Sequence, residues 1–203
     1  EVLWQFTLRR LEIAEAQVSR DIALWNDPRE QGDPGEAVSR ADIEAFLHDP
    51  NGAYQRLRRV MNAWCAMWFW PLTDTLTGAV TPPALDEWID GLTAVLGVHA
   101  ELKAPKRAGE GAQTLGLPTD WHDLDAAEDV ELGFAQAQPI DDALAGHPWL
   151  AVAERIADAN GFFHWELDFA GVFARGGFDL QVGNPPWVRP DFDETAALAE
   201  HDA

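Results

Sequence analysis

The spacing of apolar residues changes near residue 160, and this change limits the possible fold more than any other feature of the sequence. Up to that point, apolar side chains recur at steps of three and four, which predicts helices, the first of them over residues 2–25. Beyond it, 162-FFHWELDF-169 alternates and 178-FDLQVG-183 is a short apolar run, and both predict strands. The sequence therefore predicts an α/β fold, in which a mostly helical N-terminal region precedes two strands of a sheet.

Local signals predict the start of one helix and the burial of the next. Ser39 is a typical N-cap residue for a helix over 40–49, with Asp42 at the third helical position. The next helix, over 53–70, becomes apolar on nearly every side in 63-AWCAMWFW-70. Because a helix that is apolar all round is normally buried all round, we expect this one at the centre of a helical layer or under a partner domain.

Composition divides the chain into three parts. Residues 1–100 are expected to form the helical region, and 101–145, where glycine, proline and charged residues alternate, an irregular linker or loop. Residues 146–203 contain both predicted strands, after a helix over 148–159 that Asn160-Gly161 ends. The first residues already fit a helical pattern, so we expect the chain to be a segment of a longer protein.

The charge balance opposes a phosphate-binding surface. The chain carries 35 acidic against 14 basic residues, a net charge of -21, whereas contact with nucleic acid favours positive potential. A DNA partner would therefore need basic surface elsewhere in a longer protein. The arginines of 56-RLRR-59 are expected on a solvated helix face.

Several classes of protein and of site are disfavoured. No apolar run approaches the ~20 residues that cross a bilayer, so no membrane partner is expected. The single Cys65 excludes an internal disulfide and fits the cytoplasm. The histidines lack paired ligand spacing, so no metal site is expected, and His164 is interpreted as a structural residue.

The segment 184-NPPW-187 carries the clearest chemistry. Methyl transfer to an exocyclic base amine needs a flipped base, an aromatic face and two rigid acceptors that localise the nitrogen lone pair. The Asn184 side chain and the Pro185 carbonyl are suitable acceptors, and Pro185 and Pro186 restrict the backbone around them. Trp187 offers the stacking face, and Gly183, which has no side chain, permits the backbone or a ligand to approach closely.

These residues, within 176-GGFDLQVGNPPWVR-189, resemble the large methylases of type IIG restriction enzymes and of phage-defence systems of the DISARM and bacteriophage-exclusion kind. The run 162-FFHWELDFAGVF-173 is similar to a second segment of that family. The resemblance implies a Rossmann-like methyltransferase sheet, incomplete here, with residues 1–100 as an insertion. It also implies S-adenosylmethionine as cofactor, adenine N6 as acceptor, and Asn184, Pro185, Pro186 and Trp187 as catalytic residues.

The same resemblance assigns a cofactor contact and partners. Asp168 would accept a hydrogen bond from the adenine amine of the cofactor, and Phe169 would pack on its ring. Double-stranded DNA is the implied partner of the full-length protein, together with other restriction or defence subunits. The family's acid-x-x-x-Gly-x-Gly loop is not found in the sequence, so we expect it elsewhere in a longer protein, and the isolated segment to be inactive.

Other interpretations stay open. Asp168 could cap a turn, Phe169 could belong to the core, and 184–187 could be a rigid turn. The acidic charge favours a non-catalytic helical interaction or DNA-scaffolding module with a degenerate methylase motif. An enzyme of this type could also act on cytosine N4, on RNA or on a protein glutamine.

Overall fold

The structure, a computed structural model, describes residues 2–21, 38–71, 74–98, 117–118 and 120–184. This part of the chain forms ten helices and contains no strand. They are α1 (Val2–Asp21), α2 (Arg40–His48), α3 (Ala53–Ala66), α4 (Asp74–Thr77), α5 (Leu85–Leu96), α6 (Trp121–Phe134), α7 (Ile140–Gly146), α8 (Pro148–Asn160), α9 (Trp165–Asp168) and α10 (Ala170–Ala174). None of these described helices combines the length and apolarity needed to cross a lipid bilayer.

Helix α3 lies at the centre of the fold and packs against α1, α2, α5, α8 and α9. Its small residues Ala63 and Ala66 face the main core cluster, which allows the neighbouring helices to approach closely. Trp149 of α8 is the largest fully buried side chain of that cluster and stacks on Trp88 of α5 with the ring centroids 5.0 Å apart. The core is thus built between α3, α5, α7 and α8.

The predicted helix ends are confirmed at two places. The Ser39 hydroxyl accepts from the Asp42 backbone N–H at 3.2 Å, and the Asp42 carboxylate accepts from the Ser39 backbone N–H at 3.0 Å. This reciprocal pair is a capping box, which satisfies backbone donors at the start of α2. Helix α8 ends at Gly161, which adopts the left-handed conformation (φ 65°) that glycine favours.

The two predicted strands are absent, so the α/β expectation is wrong for the described residues. In 162–169 the buried positions are His164 and Leu167, and Ala170 follows at the same step of three, which is a helical and not an alternating pattern. The backbone N–H of Asp168 bonds the His164 carbonyl at 2.8 Å, closing the turn of α9. Local hydrogen bonding and burial of Leu167 therefore outweigh the strand preference of the aromatic residues.

Residues 178–184 also lie outside regular structure. Phe178, Leu180 and Val182 are all exposed, the last two largely so. A strand is stabilised by backbone pairing with a neighbour and by side chains packed across the pair. No other described segment offers such a ladder, and the Rossmann-like sheet expected from the resemblance is not present in the described part of the chain.

The apolar end of α3 is not buried as predicted. The helix ends at Ala66, and Trp64 and Trp68 are 62% and 77% exposed. Their neighbours Ala63 and Ala66 fill the core instead. The sequence pattern could not separate these sides, because all of the residues concerned are apolar.

The expectation of a solvated arginine face on α3 is also wrong. Arg56 is 3% exposed, and its guanidinium donates to backbone carbonyls of three chain segments. Arg59 is mostly buried and pairs with Glu154 of α8. Arg58 is more exposed than Arg59: 35% of the Arg58 side chain is accessible, against 11% for Arg59.

The segment 101–145, expected to be an irregular linker, includes α6 and the greater part of α7. Helix α6 begins at an Asp120 N-cap, whose carboxylate accepts from the backbone N–H of His122 at 2.8 Å. The division of the chain into domains itself stays a prediction.

Candidate functional site

The short helices α9 and α10 present the predicted cofactor contact, Asp168 and Phe169. Asp168 is the last residue of α9, and Phe169 lies between the two helices with φ -117° and ψ 37°. The Asp168 side chain is 16% exposed and the Phe169 residue 37% exposed. An acidic oxygen and a partly open aromatic ring therefore lie next to each other, and their role as a cofactor contact stays a prediction.

Asp168 is held by donors from α3 and from its own turn. Tyr54 Oη donates to Asp168 Oδ1 at 2.8 Å, and Arg58 Nη1 lies 3.5 Å from the same oxygen. The other oxygen, Oδ2, accepts from the His164 backbone N–H at 3.1 Å. The carboxylate therefore closes its own turn, one of the roles left open above, and it is also tied to the central helix.

The residues on α3 form a ladder on one face. Tyr54, Arg58 and Asn62 are spaced four apart, so their side chains lie above one another along the helix. The Asn62 amide oxygen lies 2.7 Å from Nε2 of His164, which is buried. We name Tyr54, Arg58 and Asn62 the α3 ladder. Asn62 contacts His164 at the start of α9, and Tyr54 and Arg58 contact Asp168 at its end.

Burial shifts two titrating groups in this network. It lowers the pKa of His164, an effect to which the positive charge of Arg58 adds and which the charge of Asp168 opposes. Burial raises the pKa of Tyr54, and the hydrogen bond to Asp168 raises it further. Near neutral pH, Tyr54 is therefore a hydrogen-bond donor and His164 is mainly uncharged.

Five aromatic side chains form a cluster around α9 and α10, which we name the aromatic surface. They are Phe163, Trp165, Phe169, Phe173 and Phe178. Trp165 stacks on Phe169 with the ring centroids 5.5 Å apart and the planes at 25°. Phe178 meets Phe169 edge-on at 5.4 Å. All five side chains are exposed to at least a third, so the surface is open to a flat apolar ligand.

Asn184 lies at the exposed end of the segment that begins with Phe178. Phe178 anchors this segment to the aromatic surface, six residues before Asn184. Pro185, Pro186 and Trp187 lie outside the described residues. The arrangement of the four catalytic candidates therefore stays a prediction.

The sequence interpretation missed Tyr54 and Asn62 and assigned Arg58 to solvent. The signal that could have found them was the spacing of these three residues by four, which places them on one face of the helix. His164 was interpreted as a structural histidine, and its burial and contact with Asn62 confirm that interpretation.

A cavity of about 410 Å³ lies between α1, α2 and α6, and neither Asp168 nor Phe169 lines it. Arg10 lines it, and its guanidinium lies 5.1 Å from the ring centroids of both Phe46 and Trp121. Arg10 pairs with Asp125 at 2.6 Å and with Glu128 at 3.4 Å. These two acidic residues thus compensate a buried arginine, which is a structural role.

Comparison with protein families decides the identity. The family model described as Eco57I restriction-modification methylase matches residues 73–201, more than half of the chain. The chain belongs to this family. The methylase is therefore one of the restriction-modification DNA methyltransferases, and the matched range contains Asp168, Phe169 and the segment 184–187.

The family match begins after α3, so the α3 ladder precedes the matched residues of the methylase. The comparison with curated proteins gives no match, and neither does the comparison with solved structures.

Proposed function

We infer that this chain is the methyl-acceptor portion of an S-adenosylmethionine-dependent enzyme that methylates adenine N6 in DNA, in restriction-modification or phage defence. The observation that carries this proposal is the Asn184-Pro185-Pro186-Trp187 segment within the range matched by the methylase family. DNA and further restriction or defence subunits are the proposed partners, and the cytoplasm the proposed location.

The proposed chemistry rests on polarisation of the target amine. The lone pair of an exocyclic adenine nitrogen is delocalised into the ring, which makes it a weak nucleophile. Acceptors at Asn184 and at the Pro185 carbonyl would bind its two N–H groups and localise the lone pair on nitrogen. Trp187 would stack on the flipped base. Asn184 would act as a hydrogen-bond acceptor for the amine and not as a base.

Asp168 and Phe169 fit the adenine end of the proposed cofactor, which would supply an electrophilic methyl group. A carboxylate accepts about four hydrogen bonds, and among the described residues Oδ2 of Asp168 receives one. That oxygen keeps a lone pair for an exocyclic amine, and the partly exposed Phe169 ring offers a face to the purine. These two residues would therefore orient the adenine of the cofactor.

The test is the substitution Asn184→Ala in the complete protein that contains this chain. Losing a positioned hydrogen-bond partner of the reacting group should lower kcat by about 100- to 1000-fold. The matched control is Asn160→Ala, which removes the same side chain at the end of α8, where it bonds the Ile156 carbonyl. Mass spectrometry of digested DNA would identify the product as N6-methyladenine.

Two results would contradict parts of this proposal. Methylation unchanged by Asn184→Ala would exclude the assigned role of that side chain. Formation of N4-methylcytosine would keep the mechanism and change the substrate.

A non-catalytic interaction module is the second candidate, favoured by the net charge of -21. It predicts that the complete protein binds DNA or protein partners without releasing methylated product. Methyl transfer lost in Asn184→Ala and kept in Asn160→Ala would exclude it.

A further inference from the structure

We propose that Tyr54 and Arg58 of α3 are positioning residues for cofactor binding, because they hold Asp168 in the orientation that accepts the cofactor's adenine amine. This inference rests on the proposed function. Beyond that function, the inference makes the cofactor site depend on α3, a helix that precedes the matched family segment.

The hydrogen bonds to Asp168 are divided between its two oxygens. Tyr54 and Arg58 both approach Oδ1, while the His164 N–H reaches Oδ2. The backbone N–H alone would fix one oxygen and leave the carboxylate free to rotate about its last torsion, since that torsion is broad. Tyr54 and Arg58 fix the other oxygen, Oδ1, from α3. These two residues therefore determine which edge of the carboxylate remains open to the cofactor.

Tyr54 is itself held in place. It is buried against Phe46, with the ring centroids 5.9 Å apart, and Arg58 Nη1 lies 3.4 Å from its hydroxyl. A donor that is fixed before the ligand arrives lowers the ordering cost of binding. The arrangement thus favours a role in ligand affinity in addition to packing.

The decisive variant is Tyr54→Phe in the complete protein, because it removes the hydroxyl and keeps the ring that packs in the core. We expect the Kd of S-adenosylmethionine, measured by calorimetry, and its KM both to rise by about tenfold, the usual effect of losing a hydrogen bond to a charged group. The KM for DNA should stay within about twofold, since DNA binding does not depend on Asp168.

Thr7→Val is the matched control. Thr7 is fully buried, and among the residues that the structure describes its hydroxyl has no hydrogen-bond partner. This variant therefore also deletes one buried hydroxyl, but it should leave the Kd of the cofactor unchanged. Arg58→Lys, which keeps the charge and loses the planar fork, should raise that Kd by a smaller factor than Tyr54→Phe.

A double-mutant cycle distinguishes positioning from general support. If Tyr54 acts through Asp168, Tyr54→Phe should have little further effect on cofactor affinity in an Asp168→Asn background. Additive effects of the two substitutions would overturn the proposal. So would an unchanged Kd in Tyr54→Phe, or a loss that affects cofactor, DNA and melting temperature alike.

The outcomes separate this inference from the proposed function. Weakened cofactor binding in Tyr54→Phe, with methylation intact in Asn184→Ala, would support the α3 ladder and contradict the role of Asn184. Unchanged cofactor binding in Tyr54→Phe, with methylation lost in Asn184→Ala, would support the proposed role of Asn184 and overturn the positioning role of Tyr54. A wild-type protein that binds no S-adenosylmethionine would overturn both.

Discussion

Replacing Arg56 by methionine should destabilise the fold severely, because this one side chain ties three separate segments together. Its guanidinium donates to the carbonyls of Val95 at 2.5 Å, Asn51 at 2.6 Å and Gln138 at 3.0 Å. Val95 lies in the last turn of α5, where carbonyls lack partners within the helix. Methionine has a similar length but no donor, so all three carbonyls lose their partner.

The size of the effect follows from the balance of two contributions. A hydrogen bond to a charged group contributes about 1.5–3 kcal/mol, and three would suggest about 4.5–9 kcal/mol if they were additive. Burying the guanidinium costs several kcal/mol, which the substitution relieves. We therefore expect a loss of about 3 kcal/mol in the free energy of unfolding, or about 6–12 °C in Tm for a chain of this size.

Urea denaturation followed by circular dichroism would measure this loss. Arg40→Met is the matched control, since Arg40 is exposed and its pair with Glu44 spans one helical turn. Such pairs contribute about 0.3–0.5 kcal/mol. A difference below about 1 kcal/mol between the two variants would refute the reasoning, because it would mean that water satisfies the three carbonyls equally well.

Two further predictions concern pH and packing. Because the folded-state pKa of His164 is lowered, the unfolded chain binds the proton more readily than the folded chain. The contribution of His164 to the free energy of unfolding should therefore be fully present above about pH 6.5 and should fall as the pH decreases towards the folded pKa. Unfolding at pH 7.5 and 5.0 should show this component in the wild type and not in His164→Gln; equal pH dependence would contradict it. Gly91→Ala should destabilise by about 1–2 kcal/mol, because the new Cβ would lie 2.6 Å from the Trp149 ring. In Gly133→Ala the new Cβ would meet no described atom within 4 Å beyond its chain neighbours and the backbone of its own helix, so this variant should stabilise α6 by about 0.5–1 kcal/mol. Thermal melts in which the two variants shifted alike would exclude the clash.

Helix ends were predictable because their signals are local. The capping box at Ser39 and Asp42, and the glycine at 161, involve residues within a single turn, whose chemistry does not depend on what packs nearby. Such signals survive in any tertiary context that leaves the helix end accessible.

The conformation of 162–169 was not predictable from its pattern. Alternating aromatic residues suit a strand, but a strand needs a neighbour, and sequence alone does not show whether one is near. In the described part of the chain the segment packs on α3 instead, with Leu167 buried. The contact of Tyr54 with Asp168, across 114 positions, adds long-range support to the local hydrogen bonds of this turn.

The candidate site was only partly predictable for the same reason. Asp168 and Phe169 stand out through their resemblance to a family segment, and Phe169 belongs to the aromatic surface. Arg58, by contrast, is one of three arginines in 56–59, and the sequence does not show which of them faces α9. Its contact with Asp168 depends on which helix face meets α9.

The central position of α3 also determines where this methylase could exchange material with a relative during evolution. A crossover at residue 73, where the family similarity begins, would separate Arg56 from Val95 and Tyr54 from Asp168. The new partners would have to supply both sets of matching groups at once. Viable recombinants are therefore expected to carry α3 together with the catalytic segment, so the inherited module begins upstream of the segment that sequence similarity marks.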